Sequence, residues 1–364
     1  MRRPPTIYDV AERAGVSKSL VSLVLRDSPR VSDEKRAAVL AAVAELDYTP
    51  SRLAAGLAGT RTRGIGVVVD EFENLWFAPA LAGLRAAVAD GGYSLSVADA
   101  ALNAHLGLDP LEVFRSLRVD GVVLAGEAPA ESAARLSVPA VVLGTRSLRL
   151  PGAPVIASDE TAGGRLATAH LADLGHRDIV CVGGPGASAA TREAGYLAEM
   201  RDRGLPPRVL RAQQTSEAAG RAAAAGLFAG SGSRTGSESP PTAVFAVNDP
   251  MAVGVIGAAR DRGLEVPRDL SVVGYDDSPL AAYELVSLTS VSGDPRELGE
   301  AAGRALVALI AGGAERPGSE EAADRASVAR GGGFVDPDAT GGEPDAGGLL
   351  TPGLVLRRST AARA

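Results

Sequence analysis

From Gly64 onward the chain alternates short β-branched runs with amphipathic stretches, and this alternation constrains the fold more than any other feature. Apolar runs separated by helical patterns predict parallel sheets flanked by helices. The predicted strands are Ile65–Val69, Leu95–Ala98, Gly121–Leu124, Ala140–Leu143, Ile179–Gly183, Ala243–Val247, Ser271–Gly274 and Gly353–Leu356. Predicted helices include Ala80–Asp90, Ala162–Leu174, Arg192–Arg203, Met251–Arg262 and Pro295–Ile310. This many strands suits two lobes better than one sheet. Two polar segments, Gly230–Pro241 and Glu315–Gly347, read as disordered. The second holds eight acidic residues, three basic ones and seven glycines, with few large apolar side chains to bury.

Composition narrows the function classes. One cysteine, Cys181, excludes a disulfide framework and a cysteine-based metal cluster, and His105, His170 and His176 are too few for a histidine-rich site. No metal and no cofactor are predicted. No apolar run approaches the roughly 18 residues of a membrane helix. Met1-Arg-Arg-Pro-Pro leads into polar helical sequence, so a soluble, cytoplasmic protein is expected.

Charge is unevenly divided. Residues 1–63 carry eleven basic and seven acidic side chains, +4 in all, which leaves −11 of the net −7 on the rest. A basic head on an acidic body predicts a head that meets a polyanion. Its pattern agrees. Thr6 with Asp9 forms a capping pair ahead of Ile7, Val10, Ala11 and Ala14; Gly15 permits a tight turn. Ser17 caps a second helix whose buried stripe is Leu20, Val21, Val24 and Leu25. A third begins at Ser32, with Asp33 and Glu34 at its positive end and a stripe of Ala37, Leu40, Val43 and Leu46, and Pro50 stops it. Three short helices with a turn between the first two describe a helix-turn-helix module. Its second helix exposes Lys18, Ser19 and Ser22.

The stretch Thr6-Ile-Tyr-Asp-Val-Ala-Glu-Arg-Ala-Gly-Val-Ser17 resembles the opening of LacI/GalR-family transcriptional regulators. So do Val31-Ser-Asp-Glu-Lys-Arg36, Ala44-Glu-Leu-Asp-Tyr-Thr-Pro50 and Ser51-Arg-Leu-Ala-Ala-Gly-Leu-Ala-Gly59. The resemblance runs through most of the chain. It implies an α/β protein with an all-α helix-turn-helix head (1–50), a hinge helix and linker (51–63), and a two-lobed body (64–364) like periplasmic binding proteins. Lobe 1 is expected at about 64–158 and 294–314, and lobe 2 at about 159–290 and 349–358, with 315–347 an insertion. Three crossings between lobes are implied, near Ser158, near Ser290–Asp294 and after the insertion.

The resemblance also assigns DNA contacts. Thr6, Tyr8, Ser17 and Ser32 match backbone-touching positions, while Lys18, Ser19, Ser22 and Leu23 face base edges. A lysine can donate to guanine, and a leucine can meet a thymine methyl. Where the family usually has threonine and arginine, this chain has Leu20 and Leu23, so docking carries over but base preference does not. Arg52, Leu53, Ala54 and Leu57 lie in a segment too short to be a stable helix alone. In the family it folds on pairing over the minor groove, where the leucine matching Leu57 wedges between base pairs.

In open α/β sheets ligands bind beyond the carboxyl ends of the strands. Asp70, Asn248, Asp249 and Asp277 follow predicted strands, Arg192 opens a predicted helix, and Trp76 and Phe77 are aromatic neighbours. Carboxylates, an amide and a guanidinium suit a polyhydroxylated ligand, with an aromatic face for a ring. Asp249 and Asp277 also suit helix capping, and the aromatics suit a core.

No catalytic constellation accompanies these residues. Gly183-Gly-Pro-Gly186 lacks dinucleotide spacing, and His170 and His176 are six apart rather than four. The expectation is a non-enzymatic, homodimeric, sequence-specific repressor. It binds a pseudo-palindromic DNA operator and is controlled by a small molecule, a sugar or sugar derivative. A nucleobase or nucleoside effector, or a solute-binding module without a transcriptional role, is the alternative.

Overall fold

The computed structural model describes residues 5–25, 28–48, 61–228, 241–312 and 349–363. The chain forms two compact units, Met1–Thr62 and Arg63–Ala364. The hinge residues Arg52, Leu53, Ala54 and Leu57, the segment 315–347 and nearly all of 230–241 lie outside the described residues.

The first unit contains α1 (Ile7–Arg13), α2 (Lys18–Leu25) and α3 (Asp33–Glu45). Thr6 N and Oγ1 both donate to the Asp9 carboxylate at 2.6 Å, fixing the start of α1. Gly15 takes φ +65° in the turn, which only glycine adopts without strain. Ser17 Oγ then accepts from Leu20 N at 3.2 Å to open α2. Val10, Val21, Val24, Val39 and Ala42 form the core.

The predicted stripe of α3 is corrected. Ala37 is exposed and Leu40 is 50% exposed. Val39 and Ala42 are buried instead, with Val43 and Leu46 packed beside them. A spacing of strictly three residues falls behind a 3.6-residue turn, so 37 and 46 cannot share a face; 39, 42, 43 and 46 can.

The second unit contains two sheets. The first has order β2-β1-β3-β4-β5, built from β1 (Gly64–Val69), β2 (Ser94–Asp99), β3 (Gly121–Leu124), β4 (Ala140–Leu143) and β5 (Val155–Ile156), all parallel. Helix α4 (Phe77–Ala89) covers one face. Then come α5 (Ala100–His105), α6 (Pro110–Leu117), which covers the other face through Leu111 and Phe114, and α7 (Ala130–Ala134).

The second sheet is built from β6 (Ile179–Gly183), β7 (Arg208–Arg211), β8 (Ala243–Ala246), β9 (Ser271–Tyr275), β10 (Thr289–Ser292) and β11 (Gly353–Val355). Its order is β11-β10-β9-β8-β6-β7, parallel except for β11. Helices α8 (Glu160–Asp173), α9 (Ala187–Asp202), α10 (Glu217–Ala225) and α11 (Asp249–Asp261) pack around it.

Helix α12 (Pro295–Gly312) follows β10 yet packs on α4, so its Leu298, Ala302, Leu306 and Ile310 belong to the first sheet's core. The chain therefore passes between sheets after β5, after β10 and before β11. The first and third passages pair: Leu350 N donates to Ala157 O, and Asp159 N donates to Leu350 O, both at 2.9 Å.

Every predicted strand is present within two residues of its predicted ends, but β5, β7 and β10 are additional. Strand β5 is only two residues long, and β7 (Arg-Val-Leu-Arg) is a half-exposed edge. Strand β10 reads Thr-Ser-Val-Ser, a polar sequence in a buried place. It is tolerated because its polar groups are bonded: Thr289 N donates to Ser359 Oγ at 2.8 Å, and Ser290 Oγ donates to Asp249 Oδ1 at 2.6 Å.

Candidate functional site

On the head, Tyr8 of α1 and Lys18 of α2 meet at the surface. Lys18 Nζ donates to Tyr8 Oη at 3.1 Å and stands 4.8 Å from the ring centre. Ser17, Lys18 and Ser19 are exposed, Ser22 is half-buried and Leu23 is 39% exposed, so the first two turns of α2 present a mixed polar and apolar face. Ser32 is exposed at the start of α3, and Thr6 is half-buried and engaged with Asp9. Arg13 pairs with Glu45 at 2.6 Å, tying α1 to α3 behind that face.

The second unit holds a cleft of about 890 Å³ between the carboxyl ends of its two sheets. Asp70 after β1, Glu127 after β3 and Arg146 after β4 line one side, with Glu71, Glu73, Asn74, Trp76 and Phe77. Glu160, Ser188, Arg192, Gln214 to Glu217, Val247, Asn248 and Asp276 line the other. Among the described residues a hydrogen bond spans the sides, from Ser188 Oγ to Thr145 O at 3.1 Å.

Arg192 is the centre of the second side. Gly164 of α8 makes its position possible: a Cβ there would lie 2.1 Å from Arg192 O, so α8 and α9 touch backbone to backbone. That contact sets Glu160 beside the guanidinium. Arg192 Nη2 donates to Glu160 Oε1 at 2.8 Å, and Nη1 donates to Val247 O at 2.8 Å. Nη1 is also 3.0 Å from Asp276 Oδ1, and the guanidinium carbon sits 3.8 Å from the centre of the Tyr275 ring. Burial works against this charge, but Asp276 and Glu160 hold the group protonated, its pKa above the ordinary arginine value. Arg192 Nε and Glu160 Oε2 remain without partners among the described residues.

Burial, opposed by Arg192, pushes Asp276 up to about 7. Burial likewise pushes Asp249 up to about 6 against its hydrogen bond from Ser290. On the opposite side, burial together with Glu73 and Asp70 raises Glu71.

Of the residues singled out from sequence, Asp70, Trp76, Phe77, Arg192 and Asn248 line the cleft. Trp76 and Phe77 also pack into the first sheet's core, edge to face at 5.2 Å. Asn248 both caps α11, accepting from Met251 N at 3.0 Å, and donates to Thr215 O at 2.8 Å.

Two expected residues do not line the cleft. Asp249 is fully buried behind it, accepting from Ser278 N at 2.7 Å and from Ser290 Oγ. Asp277 turns away and pairs with Arg357 at 2.7 Å. Asp276 takes its place, because adjacent residues leaving a strand project in different directions and only one can point inward. Glu160, Arg146, Glu71 and Glu73 were not singled out. For the three acids the runs Ser158-Asp-Glu160 and Asp70-Glu-Phe-Glu-Asn74, each just after a strand, carry that signal, and Arg146 likewise follows the strand Ala140–Leu143.

Among the described residues no helix is long and apolar enough to cross a membrane. Residues 6–51 match the family described as bacterial regulatory proteins, lacI family, and residues 168–331 match a periplasmic binding protein-like domain. The PurR transcriptional repressor of Vibrio campbellii is 34% identical over 84% of this chain and 92% of its own. The ribose operon repressor of Haemophilus influenzae is 34% identical over the same shares. The lac repressor dimer bound to operator and the anti-inducer ONPF superposes with a TM-score of 0.75 at 29% identity, over 99% of this chain and 100% of that one. Matches of this extent, on a helix-turn-helix head and a cleft between two parallel sheets, identify the chain as a member of the LacI family of bacterial transcriptional regulators, which are DNA-binding proteins and not enzymes.

Proposed function

We propose that this protein is a homodimeric repressor that binds a pseudo-palindromic operator and whose operator affinity changes when a sugar or sugar derivative fills the cleft. Arg192 is the observation that carries the effector reading. It is a buried guanidinium on the cleft wall, held between two carboxylates, with one donor of its own and one acceptor of Glu160 uncommitted. A hydroxyl group both donates and accepts, so a polyol can satisfy both atoms at once. Trp76 and Phe77 supply the apolar face for a ring, and Asp70 and Asn248 supply further polar contacts.

On the DNA side, Lys18, Ser19, Ser22 and Leu23 read base edges, while Thr6, Tyr8, Ser17 and Ser32 fix register on phosphates. Arg52, Leu53, Ala54 and Leu57 enter the minor groove. A two-fold dimer presents two identical α2 helices, which demands a symmetric site. The Haemophilus influenzae relative is named a ribose operon repressor, and the lac repressor neighbour is a dimer bound to operator; both support this reading.

The test is a thermal-shift screen over sugars and purines, followed by operator titration with and without each hit, for wild type and Arg192→Ala. Ligand at 100 times Kd adds about 2.7 kcal/mol to stability. A sugar should shift melting and operator affinity in wild type, and Arg192→Ala should bind operator but ignore the sugar. A purine that does both, with sugars inert, assigns the cleft to nucleobases instead.

A further inference from the structure

The charges on the cleft do not balance. Seven carboxylates line it against two guanidiniums. Both guanidiniums are already ion-paired, Arg192 with Glu160 and Asp276 and Arg146 with Asp70 at 3.1 Å, although Arg192 Nε keeps no partner among the described residues. Glu71, Glu73, Glu127 and Glu217 have no ion-pair partner among the described residues, and Glu71 is held above the usual carboxylate range by burial and by its acidic neighbours. Two features favour an anion: the uncommitted Nε of Arg192, and the start of α9 at Gly186, which no side chain caps. A helix N-terminus is equivalent to roughly +0.5 charge, and the Arg192 charge is already matched by Glu160 and Asp276, against four carboxylates without an ion-pair partner.

A second, independent feature lies deeper. Glu160 is 94% buried, lines the cleft and keeps Oε2 without a partner. An unpartnered carboxylate oxygen calls for a donor, which a hydroxyl or ammonium group supplies and a carboxylate or fully ionised phosphate does not.

Resting on the sugar reading above, we propose that the cleft selects its effector by charge: it takes a polyhydroxylated compound that is neutral or amine-bearing, and rejects the phosphorylated or acidic form of the same scaffold. Rejection comes from two sources. An anion in the cleft meets Glu71, Glu73, Glu127 and Glu217 with no unpaired cationic side chain among the described lining residues to offset them, and its anionic group offers Glu160 no donor. This is specificity through repulsion of the wrong ligand as much as attraction of the right one. The repressor therefore responds to a sugar before it is phosphorylated or oxidised to an acid, and the class of reaction that consumes its effector is phosphoryl transfer to, or oxidation of, that sugar.

The experiment titrates the full-length protein, by calorimetry and thermal shift, with matched series. These are D-ribose with D-ribose 5-phosphate, and D-glucose with D-glucosamine, D-glucose 6-phosphate and D-glucuronate. Further neutral sugars with their phosphates follow. In any scaffold that binds, the neutral or amine member should be at least about tenfold tighter than the anionic member. The gap should narrow at 1 M salt, where the Debye length falls to about 3 Å. It should also narrow in the surface variant Glu71→Gln/Glu73→Gln/Glu217→Gln. A phosphate or acid that binds as tightly as its neutral parent overturns the charge selection and leaves the sugar reading standing. Failure of every sugar, charged or not, to bind while a purine does overturns the sugar reading itself, and this inference with it.

Discussion

Lys18 and the pair Asp276–Asp277 show how single side chains divide the work. Lys18 rests on Tyr8 in the free head, so binding exchanges one polar partner for another rather than ordering a loose chain. With Lys18 on a guanine, Lys18→Ala should relax preference at one base pair per half-site and cost about 1–3 kcal/mol there. Binding to a library of single-base operator variants measures this, and a uniform loss over all variants places Lys18 on a phosphate. In the body, Asp276→Ala should abolish the effector response while operator binding persists. Asp277→Ala should do the reverse: it removes a partly buried bond to Arg357, costing about 1–3 kcal/mol of stability, and leaves effector response intact. Denaturant melts and effector titrations of both variants separate the roles. Equal effector loss in the two places both acids at the ligand.

Among elements, the contact between α8 and α9 builds the site. Gly164 and Gly195 face the opposite backbone, where a Cβ would lie 2.1 Å from Arg192 O and 2.2 Å from Thr161 O. Gly164→Ala should separate the helices, cost about 1–3 kcal/mol through overpacking, and shift Arg192 away from Glu160. The expected outcome is a lowered melting temperature together with weakened effector binding beyond what the stability loss explains; unaltered effector affinity at lower stability refutes the link. Element identity was largely readable beforehand because amphipathic period, capping residues and β-branched runs act over a few residues. Strand β10 was not, since Thr-Ser-Val-Ser becomes a buried strand only when distant Asp249 and Ser359 satisfy its polar atoms.

For the whole molecule, the buried acids make stability depend on pH. Asp276 titrates near 7 and Asp249 near 6 in the folded chain, both above the ordinary aspartate value of 3.8. The folded state therefore holds more protons than the unfolded state between those values, and this contribution to stability, full below about pH 4, falls as pH rises toward 7. Asp276→Asn should flatten that decline relative to wild type in melts taken from pH 4 to 8. A parallel decline in the variant assigns the dependence to other groups. Effector response requires that the ligand distinguish two arrangements of the cleft walls, and only contacts drawn from both sheets can do so. The Ser188–Thr145 bond is one such link between the walls in this arrangement.

The sequence by itself determined the class of each domain, the helix-turn-helix head, the parallel sheets and the strand ends that carry polar loops, because these follow from local periodicity and turn chemistry. It also placed Arg192, Asp70 and Asn248 near the ligand side, since residues after parallel strands gather at one edge. Only the tertiary structure decided between Asp276 and Asp277, because the choice depends on Arg357, eighty residues away, which takes one acid and leaves the other to Arg192. It likewise decided that Asp249 is a buried brace, and that the cleft is short of free cations. Pairing between side chains far apart in sequence obeys no local period, so the charge balance of the cleft emerged only once the two sheets were folded against each other.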